Sequence, residues 1–178
     1  HMAALSLQDS DDAQGFVRSF SGSNRYIFDY LGEEVLSRQP QRIQGFLLKT
    51  SILDRLTGSL CDVITGDSDG EDMLKILDRR NLFIIPIDND RHWYRYHHLF
   101  AELLRRRLHQ KNPEKTSILH REASKWYERH GFKFEMVYHA IAGNDFERAA
   151  YLIVADGLGL IGQGAFSTVQ KWINALPE

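Results

Sequence analysis

Helical spacing that breaks once, at residues 82–96, for a hairpin-like alternation and then resumes in short helix pairs predicts a mainly α fold. Helices followed by a small β-hairpin are in winged-helix order. The antiparallel helices beyond it, joined by short turns and carrying small Ala contacts, read as the start of a solenoid-like arm. The implied divisions are 3–24, the end of a preceding helical region; 25–110, the winged-helix module; and 111–178, the arm. His1-Met2 reads as the scar of a cleaved tag and is set aside. Both ends read as cuts within a longer protein.

Each element has a local reason. Asp9-Ser10-Asp11-Asp12 is rich in capping residues ahead of Phe16-Val17 and starts a short helix. Ser21-Gly-Ser-Asn24 is a loop able to supply an N-cap. Ile27, Leu31, Glu34 and Val35 follow at helical spacing, with Phe28 and Tyr30 beside them. Pro40 opens the next helix, whose face carries Ile43, Phe46, Leu47 and Thr50. Leu60, Val63 and Ile64 make a short helix stopped by Gly66. Ser68-x-x-Glu71 reads as a capping box ahead of Met73, Leu74, Ile76 and Leu77, in a helix that ends at Arg79-Arg80-Asn81.

Residues 82–87 then read as a strand, which Pro86 places at a sheet edge. Residues 88–91 are a turn, and His92-Trp-Tyr-Arg-Tyr96 returns with period-two alternation. This strand runs straight into an amphipathic helix with His97 at its first turn and Arg105-Arg106-Arg107 near its end. Asn112-Pro113-Glu114 supplies a cap, a Pro at the first helical position and an acid for the next helix. That helix carries Leu119, Glu122, Ala123, Trp126 and Tyr127 and stops at Gly131. Further helices are expected over 134–142, around Phe146, Ala149, Ala150 and Ile153, and over 167–176.

Composition narrows the function. Of 178 residues, 43% are hydrophobic and 26% charged, which excludes a disordered chain. A net charge of −2 gives no global basic field toward nucleic acid or anionic lipid. The single cysteine, Cys61, excludes an intrachain disulfide, fits a reducing compartment and reads as a buried inert thiol. No apolar run is long enough to span a bilayer and no signal segment is present, so a cytoplasmic location is expected.

Most chemical motifs fail on context. Gly157-Leu-Gly159-Leu-Ile-Gly162 matches a dinucleotide fingerprint, but no βαβ unit surrounds it, and it reads as a glycine-rich turn between helices. His97 and His98 are adjacent, so on a helix their side chains would diverge by about 100°; no metal site is expected. His109, His120, His130 and His139 read as surface or partly buried residues. No G-x-S-x-G elbow and no G-x-x-x-x-G-K-[ST] phosphate loop occurs, so no catalytic residue is expected. The helix over 69–80 would be the recognition helix of a DNA-binding winged helix. It carries Asp69, Glu71, Asp72 and Asp78 against Lys75, Arg79 and Arg80, a poor match for phosphates. The run 105–107 serves equally as a solvated helix end opposing the C-terminal dipole. His97 has two readings: a ring satisfied by neighbours at a strand–helix corner, or a donor that, with the helix N–H groups, faces a phosphate.

Four stretches carry a resemblance: Arg25-Tyr-Ile-Phe-Asp-Tyr-Leu with Glu34-Val-Leu, Phe46-Leu-Leu-Lys-Thr-Ser-Ile-Leu-Asp54, Leu60-Cys-Asp-Val-Ile-Thr-Gly66, and Trp93-Tyr-Arg-Tyr-His-His-Leu-Phe100. Together they resemble the large ATP-dependent LuxR-type transcriptional regulators, of the maltose-regulon-activator kind, within the signal-transducing ATPase class. The resemblance implies a winged helix and the start of a tetratricopeptide-like arm, between an absent P-loop ATPase domain and an absent DNA-binding helix-turn-helix. Tyr96-His97-His98 is similar to the class's Met-His-Asp motif, with His98 departing at the acidic position. The similarity implies that His97 contacts an ADP phosphate in the full-length parent and that ATP or ADP is the parent's cofactor, with none in this stretch alone. The partner it implies is the P-loop domain of the same chain, without direct nucleic acid or membrane contact here, and with self-association of the active parent. Two other readings stay open: a winged-helix DNA-binding protein, and a helical-repeat scaffold that binds a protein through exposed Trp126 or Trp172.

Overall fold

The computed structural model describes residues 31–177. The chain divides into two compact units, residues 1–44 and 45–178. The expected helices and loop before residue 31, including Ile27, Phe28 and Tyr30, lie outside the described residues. The fold is mainly α, a winged-helix domain followed by helices.

In the first unit, Leu31–Leu36 is a π-helical turn rather than the expected α-helix. Its wider winding is closed by the Ser37 N–H and hydroxyl, both donating to the Gly32 carbonyl, five residues back, at 3.1 and 2.7 Å. Leu31 and Leu36 are buried. Helix α1, Gln41–Thr50, begins directly after Pro40, and Ile43, Phe46, Leu47 and Thr50 are its buried positions, as the spacing predicts.

The second unit begins within α1. Helix α2 spans Gly58–Thr65 and stops at Gly66, whose φ of 78° is the left-handed conformation that favours glycine. Lys49 donates to the Thr65 carbonyl at 2.7 Å and offsets the negative end of α2. Val63 is exposed.

Helix α3, Gly70–Arg79, starts without the capping box. Its N-cap is Asp69, so Ser68 lies one residue too early, and Glu71 pairs with Lys75 at 2.6 Å. The first N–H is satisfied from outside: Gly70 donates to Asp62 Oδ1 of α2 at 2.7 Å. The crossing is close. A Cβ on Gly70 would lie 2.4 Å from the Gly58 carbonyl and 2.8 Å from Asp62 Oδ1. Met73, Leu74 and Leu77 are buried and Ile76 is exposed.

The expected six- and five-residue strands are each three residues long: β1, Ile84–Pro86, and β2, Tyr94–Tyr96, antiparallel with Ile85 opposite Arg95. β1 has no second partner among the described residues, as Pro86 requires. On the far side of β2, Leu56 exchanges two backbone bonds with Tyr94, at 2.7 and 2.9 Å.

Helix α4, His98–Lys111, leads into α5, Pro113–Arg129, where Asn112 Oδ1 accepts from the Lys115 N–H at 3.0 Å. Helices α6, Lys133–Ala142, α7, Phe146–Gly162, and α8, Phe166–Asn174, continue the arm, each packed on its predecessor. Helix α7 overturns one expectation. It runs unbroken through Gly157, Gly159 and Gly162, so the Gly-x-Gly-x-x-Gly stretch is neither a cofactor fingerprint nor a turn. Burial of Leu152, Ile153 and Leu160 against neighbouring helices overrides the low helix propensity of glycine. The turn comes later, at Gly164, with φ 89°.

The arm is not hung from the winged helix by a linker. Helix α2 packs against α5. Trp93, just before β2, sets its ring 6.4 Å from Trp126 and 5.7 Å from Phe132, both edge-on. Trp126 and Phe132 stack at 6.0 Å, and Arg55 bonds Glu135 at 3.0 Å. Trp126 and Trp172 are both buried, so neither is available as an exposed docking residue. Cys61 is fully buried, and desolvation pushes its thiol pKa up, as an inert core thiol requires.

Two glycines should respond oppositely to alanine. Gly70→Ala drives a methyl into backbone and should destabilise the chain by about 1–3 kcal/mol. Gly159→Ala, helical and with open space around the added Cβ, should stabilise it by about 0.5–1 kcal/mol. Urea unfolding of the two variants checks both signs.

Candidate functional site

His97 sits where the hairpin turns into a helix, and four contacts put it there. β2 alternates: Tyr94 and Tyr96 are buried, Arg95 is exposed. The Tyr96 hydroxyl lies 2.7 Å from Thr50 Oγ1 in the core. Because Thr50 already donates to the Phe46 carbonyl at 2.7 Å, Tyr96 is the donor, and its pKa is pushed up by burial. The His97 N–H donates to the Phe83 carbonyl at 2.7 Å, and the His97 carbonyl accepts from Ala101 at 3.0 Å. His97 is therefore the N-cap of α4, in extended conformation at φ −59° and ψ 134°, rather than a residue of its first turn.

This corner is strained. Phe83 holds a φ of 54°, unusual for a bulky residue, and that conformation aims its carbonyl at His97 while its ring stays 5.4 Å from Phe100. No side chain caps α4, so the amides of its first turn are unmet by the N-cap side chain. Period two along the strand puts Arg95 and His97 on one side of the chain. His98, the first helical residue, brings its ring to 4.6 Å from His97. The expected divergence of the two rings fails because only His98 is helical. Arg95, His97 and His98 thus form a small rim of one guanidinium and two imidazoles at a helix N-terminus.

The His97 imidazole is half-buried, and its pKa is lowered, first by desolvation, then by His98 and Arg95. The ring is neutral at pH 7 and offers one N–H. Among the described residues no group of three or more His, Cys, Asp and Glu side chains could hold a metal ion.

Other expectations fare unevenly. Arg105 is not a loose basic end: its guanidinium donates to the Ser51 carbonyl and to Asp54, both at 2.7 Å. Arg106 bonds Glu102 at 2.5 Å. Helix α3 exposes Glu71 and Asp72 as well as Lys75 and Arg79. His109 and His130 are exposed, but His120 and His139 are buried, against the expectation for them, and meet at 2.8 Å between α5 and α6. Sequence reading missed Arg95 as a companion of His97, although the alternation of Tyr94-Arg95-Tyr96 carries that signal.

Known proteins share this region. Residues 32–116 match the family described as the MalT winged helix domain. The chain is 35% identical over 176 residues to the serine/threonine-protein kinase PknK of Mycobacterium tuberculosis, a match over 99% of this chain and 16% of that protein. It is 30% identical over 177 residues to the HTH-type transcriptional regulator MalT of Klebsiella pneumoniae, over 99% of this chain and 20% of that one. The MalT of Serratia proteamaculans is 29% identical over the same span. The chain therefore spans a fifth or less of the length of these relatives. No helix among the described residues is long and apolar enough to cross a membrane.

In an NMR titration the His97 ring should titrate below the ordinary 6.5, and His98→Asn should move it upward. A midpoint at or above 6.5 in the unaltered chain would contradict the half-buried, cation-flanked setting.

Proposed function

From a chain whose residues 32–116 match the MalT winged helix domain, we propose a regulatory switch module of a cytoplasmic ATP-dependent transcriptional activator. The module couples the nucleotide state of a P-loop ATPase domain, elsewhere in the same protein, to activation. It neither hydrolyses ATP nor reads a promoter itself. A protein kinase and a transcriptional regulator both contain a stretch like this one. What two proteins of different output share is not the output, and this supports reading the stretch as control.

The observation that carries the proposal is the placement of His97. A neutral imidazole N–H, an exposed guanidinium at Arg95 and an uncapped helix N-terminus fit a phosphate group. ADP, when bound by the P-loop domain, would supply a diphosphate for this rim to meet. His97 donates to it, Arg95 offsets its charge, and the strained Phe83 carbonyl fixes the angle of approach. The winged helix is thereby held against the ATPase core in the resting state. In the ATP state His97 loses this contact, and the released parent self-associates. Hydrogen bonds to charged groups contribute roughly 1.5–3 kcal/mol, enough to bias two states against one another. Because Trp93 ties β2 to Trp126 and Phe132, any displacement of the winged helix carries the first helices of the arm with it.

In the full-length parent, His97→Ala should weaken ADP retention about ten- to 150-fold, the equivalent of that bond, and should raise basal transcription. Unchanged ADP affinity, measured by release of a fluorescent ADP analogue, would overturn the assignment of His97.

A further inference from the structure

Helices α5 and α6 meet at a pair of histidines that the switch reading does not use. His120 on α5 is 9% exposed and His139 on α6 is 2% exposed. Their Nδ1 atoms are 2.8 Å apart, and the rings lie 4.9 Å apart with a tilt of 37°. Tyr127 stacks on His139 at 5.2 Å, and Tyr138 meets both rings edge-on. The charged groups facing this joint come from other elements: Arg105 of α4 and Asp54 from the segment between α1 and α2, which are bonded to each other. From α7, Arg148 bonds Ser124 and Glu128 on α5.

We infer that the His120–His139 bond is a proton-sensitive joint, which locks α5 to α6 while both rings are neutral and loosens the arm on acidification. A neutral imidazole has one N–H and one lone pair. At 2.8 Å only one proton fits between the two Nδ1 atoms, so one ring donates through Nδ1–H and the other accepts and carries its hydrogen on Nε2. A first proton from solvent adds to the free Nε2 of the donor ring. The bond survives, but a cation is now buried beside Arg105. A second proton must take the accepting Nδ1 lone pair; two N–H groups then face each other and the bond is lost.

The sign follows from the surroundings. Burial first, then Arg105, lowers the His120 pKa to about 4, with Asp54 opposing. Burial, then His120, then Arg105 lowers that of His139 to about 3. Both fall below the ordinary 6.5 of an open chain. Stability from the joint is thus fully present above 6.5 and is lost as pH falls from there toward 4 and 3.

The test uses the 178-residue chain and a double variant, His120→Phe with His139→Phe. The variant keeps two stacked rings and removes both titrations; replacing both partners of a buried bond by apolar groups of like shape is close to neutral. Unfolding in urea is followed from pH 8 to pH 5. Proton linkage makes the unfolding equilibrium of the unaltered chain rise about a hundredfold more than that of the variant by pH 5.5. Parallel pH dependence in the two proteins would overturn the inference. Should the double variant not fold, NMR titration of the unaltered chain decides: His120 and His139 resonances that stay flat down to pH 5 support the joint, and midpoints near 6.5 overturn it.

Discussion

The aromatic seam between Trp93, Trp126 and Phe132 is the constraint on which the rest of the second unit depends. A hairpin of two three-residue strands is too short to be stable alone. It persists because both sides of β2 are used: β1 pairs with one, Leu56 bridges the other, and the Trp93 ring is pressed into the first turn of the arm. Tyr127 extends the seam from Phe132 to His139, so the same rings that hold the hairpin also reach the α5–α6 joint. With Arg55–Glu135 and the α2–α5 packing alongside, the winged helix and arm share one core.

That shared core defines what the candidate site can do. His97 is pinned from below by the Tyr96–Thr50 bond and from the side by Phe83, so its backbone has no slack. The strand that leads into it is tied through Trp93 to Trp126 of α5 and to Phe132 at the start of α6.

Much of this was legible locally. Pro40, Gly66, Asn112 and Gly131 act on their own neighbours, and the helix limits they imply appear where expected. What escaped the sequence is what a distant residue decides. Asp62 replaces Ser68 as the acceptor at the start of α3 because α2 crosses it at Gly58 and Gly70. Packing carries α7 through three glycines that local propensity reads as a turn. The single-residue bridge at Leu56 has no periodic signature at all. At the candidate site, His97 came from resemblance, while its nearness to His98 depends on one residue being extended and the next helical. The meeting of His120 with His139, nineteen positions apart, follows only from the antiparallel register of α5 and α6.

The most direct test of this account is native-state amide hydrogen exchange across residues 45–178. If winged helix and arm are one cooperative body, the most protected amides of α2, α4, α5 and α6 should open with a common free energy, and Trp93→Ala should lower all of them together. A separate, lower opening energy for α5 and α6, with α2 and α4 untouched by Trp93→Ala, would contradict it.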